Sequence, residues 1–226
     1  MFQDRIQAGR SLSARLSEFA GEKNLLVLAL PRGGVPVGFE IARAMKAPLD
    51  AFLVRKLGVP GQEELAMGAI ASGGIRLLDD KTLRAIGISP RKVEEITHRE
   101  MQELKRREQA YRGNREALDV RGRTIILVDD GMATGLTMRA AVIALRQAGS
   151  KQIIVAVPVA SREACREIEK IADTVVCLHT PLEFFAVGQW YENFSQTSDE
   201  EVHDFLDRAR NESLNPTVKD GGFAGD

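Results

Sequence analysis

The sequence predicts an α/β protein of three layers built on a mainly parallel central sheet, and two observations carry that prediction. Stretches such as "NLLVLALP" (24–31) and "TIILV" (124–128) are too continuously apolar for half-exposed strands. Strands buried on both faces are what a parallel sheet requires. These stretches also alternate with segments of helical length, the order expected when helices cross over both faces of one sheet. A length of 226 residues suits one large domain with at most a small appendage.

Taken in order, residues 2–20 read as a helix with Phe2, Ile6, Leu12, Leu16 and Phe19 on one face. The buried strand 24–31 leads into a helix at 34–46, and "LDAFLVRKL" (49–57) supplies a second strand. Two apolar runs flank Ser72-Gly73-Gly74 within 66–78, a hairpin signal. Residues 79–117 break the pattern as a charged helical insertion. Ser89-Pro90 starts a long helix there, with Pro at the first helical position. Its stripe of Val93, Ile96, Met101, Leu104 and Tyr111 is narrow. The helix is mostly solvated, and either packs on a partner subunit or caps one edge of the sheet. The alternation then resumes with strand 124–128, helix 135–148, strand 152–159, helix 161–171 and strand 174–178. Pro158 places the end of its strand early or near an edge. Residues 181–194 are aromatic and irregular. Ser198 and Glu201 make a capping box that opens a last helix, 199–210, and a flexible tail follows from 211 to 226.

Several function classes are excluded or disfavoured. A net charge of −1 argues against a binder that relies on a broad basic field, so no nucleic-acid partner is expected. No apolar run approaches the roughly 18 residues of a membrane span, and the N-terminus lacks a signal peptide's apolar core. A cytoplasmic protein is the expectation. Cys165 and Cys177 have no second Cys or His at metal-ligand spacing, so neither zinc nor a disulfide framework is expected.

The chemistry concentrates in "TIILVDDGMATGLT" (124–137). Asp129 and Asp130 fall at the carboxyl end of a buried strand, where open α/β sheets bind ligands. Ala133, Thr134, Gly135, Leu136 and Thr137 then run into a helix N-terminus, whose free amides and positive dipole end favour an anion. No "GxxxxGK[ST]" pattern is present, so this is no Walker loop. Paired carboxylates would repel a phosphate beside them but suit a neighbouring diol, each accepting from a hydroxyl. A ribose bearing a 5′-phosphate meets both demands in one molecule.

This stretch resembles the phosphoribosyl-diphosphate signature of type I phosphoribosyltransferases: an aliphatic strand, two acids, a small-residue turn and Thr-Gly-x-Thr. The strand–helix order extends the likeness over roughly residues 24–195. The resemblance implies a type I phosphoribosyltransferase-like domain over 1–210, with a small hood from about 1–23 and 180–197. It implies that Asp129 and Asp130 bind the ribose hydroxyls and that 133–137 bind the 5′-phosphate. "ALPRGGVPVG" matches the family's diphosphate loop, so Arg32, Gly33 and Gly34 would hold the diphosphate, with a non-proline cis peptide in the loop. Arg55 and Lys56, ending the second strand, are further candidates. "GVPGQEELAMG" (58–68) would be a mobile flap, with Glu63 and Glu64 available to metal or base.

"FFAVGQWYENF" is similar to the hood segment of hypoxanthine-guanine phosphoribosyltransferases. By that likeness Phe185 stacks on the acceptor, Val187 presents backbone groups, Trp190 lies close by, and Glu192 joins Asp129 and Asp130 at Mg²⁺. Two features depart from purine-salvage members. Ala133 stands where those carry an acid that acts as proton acceptor, and "QIIVAVPVASR" lacks their lysine. The expected activity is therefore transfer of the 5-phosphoribosyl group from 5-phosphoribosyl 1-diphosphate to a small nitrogenous acceptor, within nucleotide metabolism. A non-enzymatic sensor of the sugar diphosphate or a nucleotide is the alternative, and a hydrolase or phosphorylase a third reading. A homodimer through the sheet edge or the 90–112 helix stays open. His98, His179 and His203 receive no role.

Overall fold

The computed structural model describes residues 1–117 and 119–214; the side chains of Glu63, Glu64 and Leu214 lie outside that description. Five parallel strands form the central sheet: β1 (Leu25–Ala29), β2 (Leu49–Ala51), β6 (Thr124–Val128), β7 (Gln152–Val159) and β8 (Thr174–His179). Their order is β2-β1-β6-β7-β8. From β1 the chain moves one way, through α2 (Gly34–Met45) to β2. From β6 it moves the other way, through α5 (Leu136–Gln147) and α6 (Arg162–Glu169). Strand order thus reverses between β1 and β6, and a crevice opens beyond their carboxyl ends.

The apolar runs are buried on both faces because alternate side chains enter different layers. Leu25, Val27 and Ala29 face one cluster with α2, α1 (Arg5–Arg15), α4 (Pro90–Arg112) and α7 (Asp199–Leu214). Leu26, Leu28 and Leu30 face the other with α5 and α6. Each fully buried Leu or Ile contributes about 1.5–3 kcal/mol, so neither layer can be removed without losing the sheet.

Several boundaries differ from the sequence-based expectation. The first helix spans only Arg5–Arg15, capped by Asp4, whose side chain accepts from the Gln7 amide. Phe2 instead forms a parallel bridge with Tyr191. Gly9 lets α1 approach α2 closely, since a Cβ there would lie 2.8 Å from the Val37 carbonyl. Residues 49–57 are not one strand. The chain breaks at Phe52-Leu53 and β3 (Val54–Val59) leaves for a separate antiparallel sheet with β4 (Gln62–Ala71) and β5 (Ile75–Leu78). The hairpin at Ser72–Gly74 joins β4 to β5. The expected flap is the β3–β4 hairpin, and Glu63 and Glu64, on β4, are among the side chains not described. Strand β7 runs through Pro158 and is not an edge strand. Its pairing with β6 stops at Ala156, and the ladder to β8 passes from Val157 to Val159, so the missing amide interrupts little.

After α3 (Asp80–Ile86), the helix α4 is less solvated than its charge suggests. Val93, Ile96, Leu104 and Tyr111 are buried and Met101 packs against them. Its buried Arg112 donates to Asp50 (2.7 Å) and to the Ala51 carbonyl, closing the exposed edge of β2. This is the edge-capping role. The capping box at α7 forms in both directions, with Ser198 N–H to Glu201 at 2.7 Å and Glu201 N–H to Ser198 Oγ at 3.1 Å. That helix continues to Leu214, past the expected start of the tail at 211; residues 215–226 lie outside the described residues. No helix among the described residues is long and apolar enough to cross a membrane.

Candidate functional site

The crevice between β1 and β6 collects both of the sequence's site motifs. Ala29 pairs with Val128, and the Leu30 amide donates to the Val128 carbonyl at 2.8 Å. The loops that follow these strands are therefore side by side. Gly33 lies hard against Asp130: a Cβ there would come within 2.6 Å of the Asp130 carboxyl carbon and closer still to its oxygen. A Cβ on Gly34 would come 2.8 Å from the Val128 carbonyl. The glycines thus serve close approach of the loop to the acids.

Asp129 and Asp130 are half-buried neighbours. The Asp130 amide donates to Asp129 Oδ1 at 2.8 Å, and Asp130 Oδ2 accepts from Arg5 Nε at 2.7 Å. Burial, reinforced by the charge of Asp130, pushes the Asp129 carboxyl well above the usual carboxylate range. Burial also raises Asp130, with the Arg5 guanidinium opposing it. One arginine faces two acids, so the pair is short of positive charge.

The Pro31–Arg32 peptide is cis, as the resemblance implied. Arg32 reaches Asp199 at the start of α7, 3.5 Å away, and the Tyr111 hydroxyl donates to the same carboxylate at 3.1 Å. Burial and then Asp199 raise the Tyr111 hydroxyl, so it stays protonated. Arg55 lies at a small cleft of about 40 Å³ lined also by Leu30, Pro31, Arg107, Tyr111 and Thr137. Lys56 is exposed and is not among the residues lining that cleft.

The 133–137 loop enters α5 with Gly135 in the left-handed region, φ 71°. The helical ladder begins with the Arg139 amide to the Gly135 carbonyl at 2.8 Å, leaving the preceding amides toward the exposed loop. Leu136 N–H makes a long contact of 3.5 Å to Thr134 Oγ1. The loop is buttressed from α6. Ser161 Oγ donates to the Ala133 carbonyl at 2.7 Å and accepts from the Ala164 amide at 3.0 Å. Ser161→Ala removes a helix cap and a loop tether together. It is expected to cost about 1 kcal/mol, and about 2–4 °C in a thermal melt.

The hood is assembled from both ends of the domain. Phe2 N–H donates to the Trp190 carbonyl and Glu192 N–H to the Phe2 carbonyl, each at 2.8 Å. Val187 packs on Gly131, directly beside the acids: a Cβ on Gly131 would lie 2.5 Å from its methyl. Phe185, 77% exposed, projects away from the packed residues. Trp190 stacks on His179, their rings 5.7 Å apart, and so serves the hood's own packing. Among the described residues no three His, Cys, Asp or Glu side chains gather as a metal cluster, so Glu192 does not join Asp129 and Asp130. The backbone of that segment is committed to Phe2, and its exposed side chain is free of the acid pair.

Arg5 and Tyr191 take up the position beside the acids, and sequence reasoning missed both. Arg5 also donates to the Ser195 carbonyl at 2.7 Å and lies over the Phe194 ring at 4.0 Å. The Tyr191 hydroxyl donates to the Asp130 carbonyl at 2.6 Å. In a charged N-terminal stretch Arg5 carries no signal that separates it from a solvated arginine. Tyr191, the partner of Trp190 in an aromatic segment, was the only available hint.

The site's composition suits one divalent cation. Two crowded carboxylates can supply one or two ligands, the rest coming from water and phosphate oxygens, as Mg²⁺ prefers.

Residues 2–193 match the family model described as "Phosphoribosyl transferase domain". Two Mycobacterium tuberculosis proteins, provisionally named as phosphoribosyl transferases, are 47% identical over 209 residues. The alignment covers 92% of this chain and 47% of each of them, so the chain spans about half the length of these curated relatives. The crystal structure of TT1426 from Thermus thermophilus is 40% identical with a TM-score of 0.81, covering 91% of this chain and 97% of that one. A sheet-end acid pair, a glycine loop pressed against it and a threonine-glycine turn into a helix therefore stand in a chain that belongs to the phosphoribosyl transferase domain family.

Proposed function

We propose that this protein transfers the 5-phosphoribosyl group of 5-phosphoribosyl 1-diphosphate to a small nitrogenous acceptor, releasing diphosphate. The observation that carries the reading is the position of Asp129 and Asp130, between the Arg32 loop and the N-terminus of α5. A molecule with a phosphate at one end, a diol in the middle and a diphosphate at the other matches those surfaces in turn. The amides before Arg139 would hold the 5′-phosphate. Asp129 and Asp130 would accept from the ribose hydroxyls, and their charge would stabilise positive charge developing at C1. Arg32 and Arg55 would neutralise the leaving diphosphate. Asp129 and Asp130 would hold a Mg²⁺ ion, which would supply further neutralisation of the leaving diphosphate.

The acceptor would enter beneath the hood, near Val187, Tyr191 and Arg5. Ala133 cannot take a proton from it, and strand β7 carries no lysine. Standard purine salvage is therefore disfavoured. Ala133 also supports a second reading, a sensor that binds the sugar diphosphate without turnover.

Calorimetry with 5-phosphoribosyl 1-diphosphate and Mg²⁺, followed by a diphosphate-release assay over a panel of bases, amines and water, tests both. Binding with turnover by any base or amine supports the transferase. Binding without turnover by any acceptor selects the sensor, and absence of binding sinks both.

A further inference from the structure

The helix α4 does more than cover the small sheet. Its Arg107 and Tyr111 line the cleft of about 40 Å³ together with Leu30 and Pro31, just before Arg32, and with Arg55. A water needs about 10–15 Å³ of such space, so the cleft has room for roughly three water-sized atoms. That is the footprint of the terminal oxygens of one phosphoryl group.

The charges around the cleft are arranged for an anion. Glu100 receives both Arg55 and Arg99, and Glu103 receives both Arg106 and Arg107. Each carboxylate is shared by two guanidiniums, so this stretch of α4 keeps surplus positive charge in a chain whose net charge is −1. Arg107 gives Glu103 its Nε at 2.8 Å, and no other hydrogen bond holds it among the described residues. Its terminal nitrogens are thus available to a ligand. The Tyr111 hydroxyl is tied to Asp199, the same carboxylate that Arg32 reaches. Tyr111, in the cleft wall, and Arg32 are thereby linked through one carboxylate.

Resting on the transferase reading above, we infer that Arg107, with Tyr111 as the wall, is a binding residue for the terminal phosphoryl group of the diphosphate. The charged insertion is then part of the site and not only a cover for the sheet. Neither the acid pair nor the phosphate loop reaches this cleft, Thr137 excepted. The test must therefore separate the two phosphate ends.

Full-length wild type, Arg107→Gln and Arg106→Gln are titrated with inorganic diphosphate, with 5-phosphoribosyl 1-diphosphate and with ribose 5-phosphate, each with Mg²⁺. Arg106 shares Glu103 but does not line the cleft, so it controls for general charge. Both arginines are well exposed, so neither change threatens folding. Arg107→Gln is expected to weaken inorganic diphosphate and the sugar diphosphate about tenfold, the scale of one lost charge-assisted contact. Ribose 5-phosphate should be unaffected, and Arg106→Gln should change nothing.

Equal binding of diphosphate by Arg107→Gln overturns the assignment. So does an equal loss in Arg106→Gln, which would mean a diffuse field. A loss confined to ribose 5-phosphate moves Arg107 to the other end of the substrate and also overturns it. If wild type binds neither diphosphate ligand, the transferase reading falls as well, which distinguishes that failure from this one.

Discussion

Asp129→Asn is expected to make the protein more stable at neutral pH while, on the proposed transferase reading, weakening its hold on 5-phosphoribosyl 1-diphosphate. Asp129 is raised well above the usual range, first by burial and then by Asp130. A carboxyl raised in the folded state contributes its stability below its unfolded value, near pH 4, and loses it as pH climbs through the folded value. At pH 7 the charged form is a net cost. Removing that charge should raise stability on the order of 1 kcal/mol, or about 2–4 °C in a melt. The gain should vanish toward pH 4, where wild type carries the proton anyway.

Asp130→Asn is expected to have the opposite sign. Burial raises Asp130 too, but its partner Arg5 is only 11% exposed and would lose its carboxylate. Leaving that guanidinium without its direct carboxylate contact costs about 1–3 kcal/mol. On the proposed transferase reading, in which each would accept from the ribose diol and help hold a cation, both variants should lose at least tenfold in affinity for the sugar diphosphate, by calorimetry. Stability changes of one sign in both variants, or unchanged binding in either, would contradict this account. Addition of Mg²⁺ should stabilise wild type at pH 7 by mass action and leave Asp129→Asn little changed.

Gly33→Ala is expected to be a damaging substitution in the Arg32 loop. The added methyl would lie within 2.6 Å of the Asp130 carboxyl carbon and 3.2 Å from Arg5 Nε. The backbone φ of −62° is ordinary, so the obstacle is space and not conformation. Either the loop withdraws or Asp130 turns, and each breaks the alignment of loop, acid and Arg5. Overpacking of this kind costs about 1–3 kcal/mol. On the proposed transferase reading, displacing the loop and the acids at once should lower affinity for the sugar diphosphate by roughly a hundredfold. A variant that melts and binds like wild type would show that the loop does not press on the acids.

Much of this site was legible because its chemistry is local. The strand-acid-acid and Thr-Gly-x-Thr stretches are contiguous, and a buried parallel strand must end at the face where ligands bind. In sequence the Gly33-Gly34 turn reads as a way for amides to reach a diphosphate, but its tighter constraint is contact with Asp130. The hood was harder. Its aromatic residues announce burial without direction, so Trp190 could not be told from a ligand platform until it stacked on His179. Phe185, suggested by analogy, is exposed, whereas Tyr191 later in the same segment bonds the Asp130 backbone.

The sequence by itself determined the parallel sheet, the acid pair, the threonine-glycine turn into a helix and the break at 79–117, since each rests on neighbours along the chain. Only the tertiary structure decided which charges meet. Arg5 and Asp130 are 125 residues apart and Arg55 and Glu100 are 45 apart. An arginine's partner depends on which surfaces the sheet and helices bring together, and no spacing within a linear chain encodes that.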